Sequence, residues 1–235
     1  MENDMTHNRV NAEDWRRGLY ESFAKVAKHD KPYEVRVGVF DITVLPDVFS
    51  PKYFTDSLYF AEALAKIVGA KSLLEIGPGT GIIALYCATA GAHVTAVDIN
   101  PQAYRNTQIN AERLGLPISV RHGDLYAPLS PEEKFDYIFW NHPFNNWNED
   151  VSMLMRAGVD PQYKALRQYV CDAKKHLNPG GQLLLGSSDM AQTSEIEKIA
   201  ADNGYRLTTL ASEDMPIEDG HKVWNTYLIY RFDAA

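Results

Sequence analysis

Four stretches of the chain combine glycine, carboxylate and amide residues in a way that suits a small-molecule site. Leu73-Leu74-Glu75-Ile76-Gly77-Pro78-Gly79-Thr80-Gly81 runs from an apolar strand into a glycine-rich turn that opens a helix. Glycines there let the backbone pass close to a ligand where a Cβ would collide. A phosphate-binding loop would follow its glycines with Lys and Ser or Thr. Ile82-Ile83-Ala84 follows here, with no cation, so the turn suits a ligand lacking phosphates. About 20 residues on, His93-Val94-Thr95-Ala96-Val97 ends in Asp98, a carboxylate suited to accept both hydroxyls of a ribose. Ile99 and Asn100 continue that edge. A third strand ends in Gly123-Asp124-Leu125, with Asp124 suited to an exocyclic adenine amine and Leu125 to covering the ring. A fourth ends in Trp140-Asn141-His142-Pro143-Phe144. A nucleotide-sugar or nicotinamide enzyme of similar topology is the competing reading. The glycine turn, Asp98 and Gly123-Asp124, each at a strand end and in this order, weigh against it.

Positioning these motifs takes alternating strands and helices. Apolar and β-branched runs predict strands over 72–76, 93–98, 118–121, 135–140 and 181–186. Helical periodicity predicts helices over 81–90, 101–113, 161–176 and 193–203. Such alternation implies βαβ units and a parallel sheet covered on both faces. Tyr205–Ala211 and Val223–Phe232 are strand-like, joined by Ser212–Lys222 with no helical pattern, and are expected to pair antiparallel at one edge. Upstream, Trp15, Leu19, Phe23 and Val26 mark a helix over 12–28, and 33–37 with 39–45 can pair as a hairpin. A loop over 47–53 leads to a helix running to about Val68, which Thr55 or Asp56 can cap. Leu58, Ala61, Leu64, Ala65 and Val68 form its inward face. The expected class is α/β, with a Rossmann-like, seven-stranded, mostly parallel sheet and an antiparallel C-terminal hairpin. Residues 1–46 form an N-terminal extension to a domain spanning 47–235.

The sheet plan and the motifs resemble class I S-adenosylmethionine-dependent methyltransferases. Asn141-His142-Pro143-Phe144 is similar to the Asn-Pro-Pro-Tyr/Phe loop of those that methylate nitrogen. That subgroup includes release-factor glutamine methyltransferases, adenine amino-methyltransferases and the small-domain enzymes that modify guanine in ribosomal RNA. The lead-in Val48-Phe49-Ser50-Pro51 resembles the same subgroup, and the likeness covers roughly residues 47–232. It implies S-adenosylmethionine as cofactor, held by Phe49, Glu75, Gly77, Gly79, Thr80, Gly81, Asp98, Ile99, Gly123, Asp124, Leu125 and Asn141. It also implies that the Asn141 side-chain oxygen and the His142 carbonyl accept the N–H groups of a nitrogen nucleophile while the Phe144 ring stacks on it. His142 stands where the family has Pro, which keeps the carbonyl but brings an imidazole able to act as a base. The competing reading is that it fills space. The departure opens the reading to a small-molecule amine, a guanidine or an oxygen nucleophile.

Trp147 in the polar run Asn145–Asp150 is a candidate substrate lid, with a connection pinned to the core as the plainer reading. Trp15 and Tyr20 are candidate walls of the cleft, and the extension can equally serve a homodimer contact. Tyr163, Leu166 and Tyr169 lie at helical spacing and read as core.

With 235 residues and a net charge of −8, the chain lacks the basic stripe of a phosphate-backbone binder. The cluster Arg16, Arg17, Lys25 and Lys28 reads as a solvated helix face. Nucleic acid is therefore disfavoured against a small-molecule or protein side-chain substrate, with base methylation and O-methylation of a metabolite as alternatives. A full release-factor enzyme would carry a larger N-terminal domain than Met1–Val48, which favours a compact substrate. The polar N-terminus and the lack of a long apolar run point to a cytoplasmic protein with no membrane span. Cys87 and Cys171, both on helices, are expected to be buried, reduced thiols. His7, His29, His93, His122, His176 and His221 lack metal-ligand spacing, and no metal is expected.

Overall fold

The computed structural model describes residues 8–9, 11–216 and 223–235; His7, His221 and most of the 1–11 segment lie outside them. In chain order the elements are β1 (Asn8–Arg9), α1 (Ala12–Ala27), β2 (Tyr33–Val37), β3 (Phe40–Val44), α2 (Asp56–Val68), β4 (Ser72–Ile76), α3 (Ile82–Thr89), β5 (His93–Asp98) and α4 (Pro101–Arg113). There follow β6 (Ile118–His122), β7 (Phe135–Asn141), α5 (Lys164–Asp172), β8 (Leu177–Ser188), α6 (Thr193–Asp202), β9 (Tyr205–Pro216) and β10 (Val223–Ala234). The main sheet runs β1-β10-β8-β7-β4-β5-β6, with β9 paired to the outer side of β10. β4 through β8 pair parallel with one another, and β10 is antiparallel to both β8 and β9. The expected mostly parallel, seven-stranded sheet with its C-terminal hairpin is present, and the two-residue β1 is added to it.

β4 lies at the centre, with β5 on one side and β7 on the other, so the chain reverses its direction of sheet growth there. Loops leaving the carboxyl ends of such strands diverge and open a crevice. The alternation of side chains along each strand decides which face supports it. Leu74, Ile76, Ile138 and Trp140 pack with Leu166, Tyr169 and Ile196 under α5 and α6. Leu73 and Phe139 face the other way, against Phe60, Leu64 and Leu85 of α2 and α3. Asn141, two residues beyond Phe139, therefore emerges beneath the start of α2.

Several elements differ in extent from their sequence signals. The helix expected over 161–176 is three pieces, because Gln162 and Tyr163 adopt left-handed backbone (φ 58° and 50°). The Asp160 carboxylate then accepts from the amides of Ala165 (3.1 Å) and Leu166 (2.9 Å) and starts α5 anew. A short 3₁₀ turn, Ala173–Lys175, ends it. β9 continues through Ser212–Pro216, part of the expected connection, by pairing with Trp224–Leu228. Its exposed polar residues there carry no strand signal. Thr55 is the residue before α2 but does not cap it; its hydroxyl donates to the Pro216 carbonyl (2.9 Å).

The upstream elements are tied to the sheet domain. The β2–β3 hairpin is bonded to α4, where buried Asn106 and Asn110 serve the backbone of Thr43 and Leu45 at 2.7 to 2.9 Å. α1 buries Leu19, Phe23 and Val26 against Leu154 and Val159, forming a third apolar cluster. Arg16 is more than a solvated charge, since it pairs with Glu149 (2.8 Å) and lies over the Trp147 ring. Cys87 is buried as expected, but Cys171 is exposed on the outer face of α5. No described helix is long and apolar enough to cross a membrane.

Candidate active site

A cavity of about 650 Å³ opens at the carboxyl ends of β4, β5 and β7. α1 and the 149–161 segment wall its far side, and Trp15, Leu19 and Leu154 line it. Of the residues singled out in the sequence, it brings together Phe49, Gly77, Gly79, Thr80, Asp98, Ile99, Asp124 and Leu125. Asn141, His142, Pro143, Phe144, Asn145 and Trp15 line the same space.

Glu75, Gly81, Gly123, Tyr20 and Trp147 do not line it. Glu75 shares the strand face of Leu73 and is buried behind the turn. Gly81 has φ 87° and starts α3; a Cβ there would lie 2.9 Å from Thr107. Gly123 abuts Pro128 in the same manner, at 2.8 Å. These two glycines serve packing. Trp147 stacks on Tyr20 at 6.0 Å, and the Tyr20 hydroxyl bonds Glu149, so the 145–150 run is pinned to α1.

The glycine turn is held from behind. Thr107 donates to the Gly79 carbonyl (3.1 Å) and Asn110 to that of Thr80 (2.9 Å), both from α4. Gly79 has φ 60°, and no heavy atom of the described residues lies within 4 Å of where its Cβ would be. That open position, on a residue lining the cavity, is a cradle that a side chain would fill. Asp98 ties turn to strand, accepting from the amides of Gly79 (3.1 Å) and Asn100 (2.8 Å). Burial still pushes its carboxyl up to about 6. Leu125 holds a left-handed backbone (φ 45°), a strained conformation of the kind that collects at binding sites.

At the β7 end, Asn141 Nδ2 donates to Asp56 Oδ2 (2.8 Å). Asn141 Oδ1 and Asp56 Oδ1 are both buried without a hydrogen-bond partner among the described residues. Leaving such a group unpaired costs about 1–3 kcal/mol, so each oxygen calls for a donor that a ligand or water can bring. Asp56 is the residue that sequence reasoning missed. An acid at a helix start reads as a cap, and only the packing of α2 over β7 buries it. Burial pushes it up to about 6, against the opposing bond from Asn141. His142 is buried, its Nε2 is 3.1 Å from Ser187 Oγ, and burial pushes it down to about 3. It is a neutral imidazole across the physiological range. Tyr163 donates to the Phe144 carbonyl (2.7 Å), which sets the loop beyond. Among the described residues, no cluster of His, Cys, Asp and Glu could hold a metal.

Glu75 is pushed up to about 8 by burial, with the Asp98 charge adding to it. A folded state that binds a proton more tightly than the unfolded chain loses stability as pH rises from the unfolded value, near 4, through the folded one. Between pH 6 and 8 this loss outweighs the opposite effect of His142, whose window lies below its unfolded value of about 6.5. The melting temperature of the ligand-free protein is expected to be lower at pH 8 than at pH 6, by on the order of 5 °C. Glu75→Gln should flatten that slope in thermal melts; an unchanged slope would assign it to other groups.

A mostly parallel sheet whose glycine turn and strand ends open on one cavity is the architecture of the S-adenosylmethionine-dependent methyltransferases, and a family match places the chain among them. Residues 40–202 match the methyltransferase small domain family, and the chain belongs to it. A Methanocaldococcus jannaschii chain carrying a protein N5-glutamine methyltransferase assignment is 28% identical over 181 residues, covering 74% of this chain and 89% of that one. The release factor glutamine methyltransferase of Geobacter sulfurreducens is 34% identical over 158 residues, covering 62% of this chain and 55% of its own. This chain thus spans about half the length of that enzyme. Among solved structures, the T. thermophilus 16S rRNA N2 G1207 methyltransferase, in complex with AdoMet and guanosine, superposes with a TM-score of 0.64. It is 23% identical and covers 87% of this chain and 50% of its own.

Proposed function

We propose that the protein methylates a nitrogen of carboxamide type, on a protein side chain that reaches into the cavity. The observation that carries this reading is Asn141, a cavity-lining amide whose buried Oδ1 has no partner among the described residues. An amide nitrogen is a poor nucleophile because its lone pair is conjugated with the carbonyl. Acceptors that hold its N–H groups favour the charge that develops as it attacks. Asn141 Oδ1 supplies one acceptor and the His142 carbonyl the second, while the Phe144 ring offers a flat wall for the planar group. His142 works through its backbone, since a neutral imidazole of such low basicity takes up little proton near pH 7. When bound, S-adenosylmethionine supplies an electrophilic methyl group on a sulfonium. The chain's own part is to bind, orient and exclude water, and its rate gain comes from positioning. The relatives that methylate glutamine support the choice of an amide.

The test is methyl-tritiated S-adenosylmethionine added with the protein to a lysate divided into RNA, protein and small metabolites. Label is expected in the protein fraction, released on digestion as an N-methylated carboxamide side chain. Label in RNA or metabolites alone, or in no fraction, would overturn the reading.

Cofactor binding offers a separate check. Asp98→Ala removes the acceptor proposed for the ribose hydroxyls and also releases the amides of Gly79 and Asn100. Each hydrogen bond to a charged acceptor is worth about 1.5–3 kcal/mol. Calorimetric titration should show S-adenosylmethionine bound at least about tenfold more weakly. Unchanged affinity would remove Asp98 from the site.

A further inference from the structure

We propose that Asp56 is a positioning residue for methyl transfer, holding the Asn141 side-chain amide so that its oxygen, rather than its NH₂ group, is presented to the acceptor nitrogen. The inference rests on the reading of Asn141 given above, and concerns how that amide is oriented.

An Asn side chain can turn over at little cost, exchanging a donor for an acceptor at nearly the same place. A site that relies on the oxygen must prevent this. The Asn141 side chain is in contact with a single hydrogen-bonding group among the described residues, Asp56 Oδ2, at 2.8 Å from Nδ2. An ionised carboxylate only accepts, so the NH₂ group must face it, and the opposite orientation would set oxygen against oxygen. The remaining Asn141 Oδ1, on the residue lining the cavity, is then committed as an acceptor. Asp56 itself is buried. Its place at the first residue of α2, beneath which Asn141 emerges, follows from the packing of that helix over β7.

Protonation would undo the arrangement, because a neutral carboxyl can donate to the Asn141 oxygen and allow the amide to turn. Burial sets the Asp56 carboxyl near pH 6. Among the described groups, no charged side chain adds to this shift from the elements packed around it. The titratable group that faces it is Tyr227 of β10, which burial pushes above the ordinary tyrosine range and which therefore stays protonated. Asp189 acts on Tyr227 from the turn after β8. His142, beside Asn141, stays neutral in this range. Turnover should accordingly fall as pH drops through about 6.

Two variants separate orientation from mere packing. Asp56→Asn keeps the shape and can still accept from Asn141 through its own oxygen. With S-adenosylmethionine held saturating at every pH, so that the titration of Asp98, also near 6, is not read through cofactor binding, it should retain most turnover at pH 7.5 and lose the acid limb near pH 6. Asp56→Leu offers no acceptor, and its turnover should fall on the order of 100-fold. Affinity for S-adenosylmethionine should change less than about threefold in both, which is within about 0.7 kcal/mol. Turnover is read on the fraction that accepts label in the assay above. A third measurement needs no acceptor: in ¹⁵N-labelled protein, the Asn141 side-chain NH₂ resonance, identified by its loss in Asn141→Ala, should titrate near pH 6. That titration should be absent in Asp56→Asn. An acid limb that survives in Asp56→Asn, wild-type turnover in Asp56→Leu, or an Asn141 resonance that does not titrate would each overturn the proposal. If no fraction accepts label, the function reading fails by itself, and the resonance still decides the role of Asp56. Should Asp56→Leu not fold, the pH profile of Asp56→Asn and the resonance carry the decision.

Discussion

Asn141→Ala is expected to lower turnover by on the order of 100-fold to 1000-fold, the loss typical of removing one preorganised group that meets developing charge. The contact of its Oδ1 with a substrate N–H strengthens as the nitrogen becomes positive, so the loss should fall on kcat more than on the affinity for the ground state. S-adenosylmethionine affinity should change by less than about threefold, because the glycine turn and Asp98, not Asn141, are proposed to carry most of that binding. The deletion also deprives the buried Asp56 of its side-chain donor, so a modest loss of stability accompanies it, measurable by thermal melting. His142 supplies the contrast. His142→Pro restores the residue found in the resembling subgroup, but it removes the backbone donor to Gly186 (3.3 Å) and the partner of Ser187. It should therefore lower stability while leaving turnover within about tenfold. A collapse of kcat in His142→Pro with binding intact would make the imidazole a participant. Full activity in Asn141→Ala would move the reaction centre elsewhere in the cavity.

The second large effect is expected at Gly79. Its φ of 60° and the empty space around its would-be Cβ mean that Gly79→Val meets two separate obstacles. A β-branched residue in the left-handed region is strained by about 1–3 kcal/mol, and its methyl groups would occupy the space proposed for the cofactor. Calorimetry should show S-adenosylmethionine binding weakened at least about 100-fold, with a moderate loss of melting temperature. Gly81→Ala is the control. Its Cβ would press on Thr107 at 2.9 Å, behind the turn rather than in the cavity. It should reduce stability and spare most of the cofactor affinity. Retained binding in Gly79→Val would mean that the turn serves packing alone.

Local chemistry wrote much of this protein into its sequence. The strand ends at Ile76, Asp98 and Asn141 lie where β-branched and aromatic runs meet glycine, carboxylate or amide, and the structure has strand boundaries there. Pro101 after Asn100 marks the start of α4, and the Asn100 side chain accepts from the Gln102 amide as a cap should. The family follows from these short-range signals, because glycine conformations, caps and strand periodicity are decided within a few residues of chain.

Three matters were decided only when the chain closed on itself. Of the three glycines in the turn, Gly77 and Gly79 line the cavity while Gly81 packs on Thr107, a distinction made by α4 from about 25 residues away. Glu75, adjacent in sequence to the turn, faces inward because strand alternation puts it on the face of Leu73 under α3, and burial then raises its carboxyl. Asp56 and Asn141 are 85 positions apart, and neither carries any mark of the other. Their bond exists because Phe139 and Phe60 bury each other, which lays the start of α2 across the end of β7. Sequence determined which groups could do the chemistry; burial, which depends on every element at once, decided which of them are free to meet a ligand and in which protonation state.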